Sequence, residues 1–200
     1  MRHNLEIDGS AFRLRPVALK DAGFIVELRS DPERGRYLHR GAADTASQEQ
    51  WLRKYLNTPD DYYFVIENRS TGAREGTAGI YNLNDVHRDA EWGRWILRRG
   101  SLGALESACL IYRLGFETLR LDYIYCRTIV ENASALAFHD SFGVERVRRL
   151  PRYFDCHGRQ LDAIEGCLTR TRWLALREGV EAKAARAAGW TMAAHAVASS

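Results

Sequence analysis

One stretch, 91–108, limits the fold more than any other. Ala90 to Leu97 reads as a strand, Arg98-Arg99-Gly100-Ser101-Leu102-Gly103 as a glycine-bearing turn, and a helix follows at once. That helix carries Leu105, Ala108, Cys109, Tyr112, Phe116 and Leu119 at three- and four-residue steps, the period of one buried helical face. A strand running straight into such a helix points to a layered α/β protein rather than a solenoid or a bundle. The junction also gathers unpaired backbone N–H groups at the helix start, where the helix dipole favours an anion. Arg98 and Arg99 add charge and donors for phosphate. By itself such a turn is more often a plain connection than a phosphate site. It is not a Walker loop, because no Gly-Lys-Ser/Thr follows, and its glycine spacing does not fit a dinucleotide fingerprint.

The flanking pattern extends the α/β reading. Phe12 to Val17 alternates apolar and polar as a strand does, and Asp21 to Arg29 has helical spacing up to Ser30-Asp31-Pro32. Thr45 to Gln50 resembles a capping box opening a helix through Trp51 and Tyr55. Tyr62 to Glu67 and Gly76 to Leu83 are strands joined by the turn Asn68-Arg69-Ser70-Thr71-Gly72. After the central helix come a strand from Leu121 to Val130 and a helix from Ala133 to Phe142. A last hairpin runs from about Val144 to Phe154 and from Gln160 to Thr169, around Asp155-Cys156-His157-Gly158. The order β-α-α-β-β-β-α-β-α-β-β describes a mixed sheet. Beyond Leu176 the chain turns Ala-rich, so the expected division is a domain over 1–175 and a helical surface tail over 176–200, frayed at its end.

Length and charge narrow the function classes. Two hundred residues fit one domain with an appendage. Lys plus Arg number 29 and Asp plus Glu 26, a net charge of +3, too balanced for nucleic acid as the partner. The four cysteines form no C-x-x-C pair and the six histidines are scattered. That suggests reduced thiols, a cytoplasmic setting and no metal. No apolar run approaches the ~18 residues of a membrane span, and Met1 to Ser10 lacks a secretory core.

A second segment, Asn132 to Gly143, places an asparagine at a helix start and His139 seven residues on, along the same face. Asn132 is a natural N-cap, and a histidine can exchange a proton near neutral pH. Alone, each also reads as ordinary helix chemistry.

Together the two segments resemble the GNAT superfamily of acyl-CoA-dependent N-acetyltransferases. Arg98 to Gly103 matches the family's Q/R-x-x-G-x-G/A motif with Ser101 at its first glycine; the register Arg99 to Ala104 fits less well. Asn132, Ala135 and Gly143 match N-x-x-A-x-x-x-Y-x-x-x-G, with His139 in place of tyrosine. Leu14-Arg15-Pro16-Val17 with Asp21, then Ser30-Asp31-Pro32, is similar to the branch holding ribosomal-protein N-terminal and bacterial amino-sugar acetyltransferases. The likeness spans residues 12 to 172.

The resemblance implies a mostly antiparallel mixed sheet, flanked by helices, with a splay between two middle strands. Acetyl-CoA would lie in the splay, its amides on the backbone of Ile96 and Leu97. Its pyrophosphate would rest on Arg98, Arg99, Gly100, Ser101, Leu102, Gly103 and Ala104, with Asn132 nearby. Glu91 is the expected base, acting through water, and His139 the expected acid for the leaving sulfur. Trp92 and Trp95 are candidate walls of the acceptor pocket. Arg146, Arg148, Arg149 and Arg152 read first as a solvated strand face, second as a contact for an anionic acceptor or the 3′-phosphate of CoA. The implied acceptor is a small-molecule amine, with a nucleotide-linked amino sugar favoured over a peptide N-terminus. A non-catalytic acyl-CoA-binding module is the other class, supported by the replacements at 101 and 139. A second copy of the chain is a candidate partner.

Overall fold

Asparagines and aspartates set many of the boundaries. Asn68 Oδ1 accepts from the Ser70 and Thr71 N–H groups and closes one hairpin, helped by Gly72 at φ 69°. Asn84 Oδ1 does the same for Val86 and His87, as such side chains do in turns. The computed structural model describes residues 3–38, 41–42, 44–156 and 158–198; His157 of the last expected turn lies outside them. Among the described residues the strands are β1 (Ile7–Asp8), β2 (Phe12–Pro16), β3 (Tyr62–Asn68), β4 (Arg74–Asn84), β5 (Asp89–Leu97), β6 (Tyr123–Ile129), β7 (Glu145–Cys156) and β8 (Arg159–Thr169). The helices are α1 (Ala22–Ser30), α2 (Thr45–Tyr55), α3 (Ala104–Arg113), α4 (Ala133–Ser141) and α5 (Arg170–Ala198).

The strands form one sheet in the order β1-β2-β3-β4-β5-β6-β8-β7. Every neighbouring pair is antiparallel except β5 with β6. One core joins the sheet to α3 and α5, with Tyr112 and Trp173 among its fully buried side chains. A second, built from Phe24, Ile25, Leu28, Leu52 and Tyr55 of α1 and α2, covers Tyr63, Val65 and Ile96.

The parallel pair is short. Asp89 to Glu91 align with Tyr123 to Tyr125, and no pairing continues beyond, although β5 runs on to Leu97 and β6 to Ile129. The expected splay is this parting. A bulge marks it: the β4 register slips between Thr77–Ile96 and Gly79–Gly93, and Arg94 sits there at φ 51°. The extra residue bends the strand and re-aims its side chains.

Several expectations change in detail. The two-residue β1 adds a strand at the sheet edge, too short to carry an alternation signal. The cap of α2 is Asp44, whose Oδ1 accepts from Ser47 N–H at 2.7 Å, so the hydroxyls after it are already inside the helix. The stripe of α3 ends in a wider π turn, Leu114–Thr118. The Ala-rich tail continues a single helix that begins at Arg170, so the division at 175/176 falls inside α5. Val180, Ala184 and Ala188 lie in the main core. That stretch is a surface helix with one packed face: Val180, Ala184 and Ala188 recur every four residues along it, while Glu178, Ala182, Lys183, Ala185 and Arg186 are exposed. No helix among the described residues is long and apolar enough to cross a membrane.

Candidate active site

Glu91 is the last residue of β5 to pair with β6, at the mouth of the splay. It is 8% exposed. Oε2 receives Arg127 Nη1 at 2.7 Å and Asn82 Nδ2 at 3.2 Å, and Oε1 receives the Tyr81 hydroxyl at 3.4 Å. Burial raises the Glu91 carboxyl above its ordinary range, against the pull of Arg127 and its hydrogen bonds. The long bond to Oε1 leaves that oxygen the better placed to take a proton. Gly93 makes the arrangement possible: a Cβ there would stand 2.1 Å from the Tyr81 hydroxyl.

Trp92, Trp95 and His139 form an aromatic wall. The bulge at Arg94 undoes simple alternation, so Trp92 and Trp95 come to one face with centroids 5.4 Å apart. Trp95 Nε1 donates to Ser107 Oγ at 3.1 Å, tying β5 to α3. His139, on α4, meets Trp92 edge-on at 5.0 Å. Burial depresses the imidazolium to about 4, so the ring is neutral at working pH. A neutral imidazole still carries one N–H, and giving it to a leaving group requires a proton to be taken up at the other ring nitrogen.

These residues line one cavity of about 1010 Å³, together with Asn132, Cys126, Arg94 and Arg127. Arg94 is clamped by Asp61, with Nη2 to Oδ2 at 2.8 Å, and lies over Tyr81 at 4.3 Å. Burial pushes the Cys126 thiol up to about 12. It stays protonated and offers no thiolate nucleophile.

The junction of β5 and α3 has the form read from the sequence. Gly100 turns the chain at φ 79°, and α3 starts at Ala104, its first bond running from Ser107 N–H to Gly103 O. The amides of 104–106 therefore face out of the helix end. A Cβ on Gly103 would meet the Phe12 ring and Ser101 Oγ at 3.3 Å. Ser101 Oγ accepts from Gly103 N–H at 3.2 Å, so the replaced glycine rigidifies the turn. Bare helix-end amides on a tight backbone suit a pyrophosphate. Beside them, the β6-facing edge of β5 from Trp92 to Leu97 is unpaired and suits the amides of an extended arm. Arg98 and Arg99 are exposed and reach Glu75 and Glu33, at 3.9 and 2.9 Å. The residues 96–104 do not line the cavity that holds Glu91 and His139.

A model of the acetyltransferase (GNAT) domain matches residues 12–145. The chain belongs to the GNAT acetyltransferase family. Among solved GNAT structures, the unliganded FdhC, a nucleotide-linked sugar GNAT, is 25% identical, with TM-score 0.74 over 88% of this chain and 97% of that one. A GCN5-related N-acetyltransferase from Brucella melitensis is 20% identical, with TM-score 0.78 over 90% and 85%. The spermidine N-acetyltransferase of Vibrio cholerae, in complex with CoA and spermine, is 22% identical, with TM-score 0.75 over 83% and 99%.

In this GNAT the arginines of β7 do not reach the cavity. Arg146 pairs with Asp140, Arg148 with Glu165 and Arg149 with Asp162, at 2.7 to 2.8 Å. They follow the solvated-face reading, as partners of neighbouring carboxylates on an edge strand. Asn132 caps α4, its Oδ1 accepting from Ala135 N–H at 3.3 Å. The segment Ile80 to Asp85 resembles the acceptor region of amino-sugar members of the family, but the sequence did not mark Tyr81 and Asn82 as partners of Glu91, and it missed Arg94 and Arg127 altogether; their placement depends on register across three strands. The run Tyr81-Asn82 opposite Glu91, once the hairpin is drawn, was the available signal.

Proposed function

We propose that the chain moves an acetyl group from acetyl-CoA directly to a primary amine carried on an anionic small molecule, with a nucleotide-linked amino sugar as preferred acceptor. Cavity charge carries this reading. The described lining holds Arg29, Arg34, Lys54, Arg94 and Arg127 against the one carboxylate of Glu91; Asp61 matches Arg94, and Glu91 with Glu165 matches Arg127, so the positive character comes from the wall formed by α1, α2 and the segment between them. Such a wall attracts a diphosphate and repels a polyamine. Trp51, Tyr81 and Tyr153 offer rings for stacking. The nucleotide-linked sugar GNAT supports the choice; the acceptor of the spermidine enzyme is the one this charge disfavours.

When bound, acetyl-CoA supplies an electrophilic carbonyl and a thiolate leaving group. A primary amine with a pKa near ~10 is mostly ammonium at neutral pH, so its nitrogen must shed two protons overall. Glu91 takes one through water. Neutral His139 relays the other towards the sulfur, accepting at one ring nitrogen while giving up the proton on the other. Backbone N–H groups from Trp95 to Leu97 polarise the thioester carbonyl, and the backbone of Ile96 and Leu97 holds the arm. The turn from Arg98 to Ala104 binds the pyrophosphate, Asn132 borders the arm, and Trp92 and Trp95 wall the acceptor side.

The test is free-thiol release from acetyl-CoA with a 4-amino-4,6-dideoxy sugar nucleotide, the same sugar without its nucleotide, spermidine and short peptides. The reading expects the nucleotide-linked sugar to turn over fastest by a wide margin. Activity on peptides or spermidine, with none on any amino-sugar nucleotide, overturns the acceptor.

A further inference from the structure

Arg127 is shared between two carboxylates. Its Nη1 donates to Glu91 Oε2 at 2.7 Å and its Nε to Glu165 Oε2 at 2.9 Å, while the guanidinium lies over Tyr125 and Tyr153 at 4.7 and 5.2 Å. Glu165 is 8% exposed, and its other oxygen receives Arg148 Nε at 2.8 Å. The register explains the grouping: Arg127 stands opposite Glu165 on β8, and Glu165 opposite Arg148 on β7, so the three share a face of the sheet. The outcome is a row of alternating charge, Arg148, Glu165, Arg127, Glu91, from the exposed edge to the mouth of the splay. Desolvating such a row is costly, which makes it a weak device for stability.

We propose that Glu165 is a positioning residue: by holding Arg127 it fixes how closely that guanidinium meets Glu91, and so sets the pH at which Glu91 takes a proton. The proposal rests on Glu91 as the base. The groups facing Glu91 are Tyr81 and Asn82 from β4, Tyr125, Cys126 and Arg127 from β6, and Glu165 from β8. Burial raises Tyr81, Tyr125 and Cys126 and keeps them neutral. Arg94, over the Tyr81 ring, is matched by Asp61. Arg127 and Glu165 are thus the charges that oppose each other at Glu91, the first favouring its ionised form and the second disfavouring it.

The experiment is kcat/KM against pH for wild type, Glu165→Gln, Arg148→Gln, Arg127→Gln and Glu91→Gln, with whichever acceptor the panel identifies. In Glu165→Gln, Arg127 turns wholly to Glu91, and the acid limb moves down by roughly one pH unit, the effect of one nearby charge on a carboxylate. Arg127→Gln moves it up. Arg148→Gln, a substitution at an exposed site that spares the core, leaves Glu165 to draw Arg127 away and moves the limb up by less. The proposal is overturned if Arg148→Gln and a folded Glu165→Gln both keep the wild-type limb, or if Glu165→Gln shifts in the same direction as Arg127→Gln. Should Glu165→Gln not fold, an unmoved limb in Arg148→Gln alone overturns it. Wild-type activity and limb in Glu91→Gln would instead remove Glu91 as the base.

Discussion

The imidazole of His139 stands edge-on to the indole of Trp92, ring centroids 5.0 Å apart and planes at 85°. An aromatic neighbour so close, in a pocket that leaves His139 8% exposed, gives the charged ring no solvation, so protonation has to compete with folding.

The first prediction follows from that cost. His139 titrates near its usual 6.5 when unfolded and at about 4 when folded, so the unfolded chain binds more protons between those values. Its contribution is therefore intact above pH 6.5 and is lost as pH falls towards about 4, by roughly 3 kcal/mol. Urea unfolding at pH 7 and pH 4.5 should show His139→Phe losing less stability on acidification than wild type. Parallel losses in the two proteins would place the ring in solvent.

A second prediction concerns the junction of β5 and α3. Gly103→Asp puts a carboxylate among the helix-end amides and crowds Phe12 and Ser101. It should abolish the rise in Tm that acetyl-CoA produces by mass action, while Gly103→Ala, which carries the crowding without the charge, should keep part of it. An aspartate variant that responds like wild type would move the phosphate site elsewhere.

The third prediction reverses what the sequence suggested for the tail. Ending the chain at Arg177 removes Val180, Ala184 and Ala188 from the main core. Burying one valine is worth about 1.5–3 kcal/mol, and the loss also uncovers α3. Thermal unfolding should show the truncated chain destabilised by roughly 3 kcal/mol or more, with or without acetyl-CoA. A truncated protein that melts with the full chain would return this stretch to the surface.

The fold was legible wherever local chemistry decides it. Asn68, Asn84 and Gly72 mark turns, Asn132 caps α4, and the apolar stripe of α3 announces a buried face. The candidate site was legible in the elements that carry Glu91, Trp92, Trp95, Asn132 and His139, which do line one cavity. What stayed hidden is long-range. Arg127 is 36 residues from Glu91 and reaches it only because β6 lies beside β5. Nothing local marks Arg94 for a left-handed backbone, yet the bulge there turns Trp95 onto the face of Trp92. The packed face of α5 was missed because two of the residues that make it, Ala184 and Ala188, weigh little in any hydrophobic pattern.

The parting of β5 from β6 has a mechanical consequence. The sheet is two half-sheets, β1 to β5 and β6 to β8, joined by three residue pairs, by the Arg127–Glu91 ion pair and by the helices packed on them. An extended guest that offers amides at strand spacing would act as a ninth strand, filling the gap between the two halves. An occupied splay would then tie the two walls of the cavity together along their length, where the protein's own strands share only the pairs that end at Glu91.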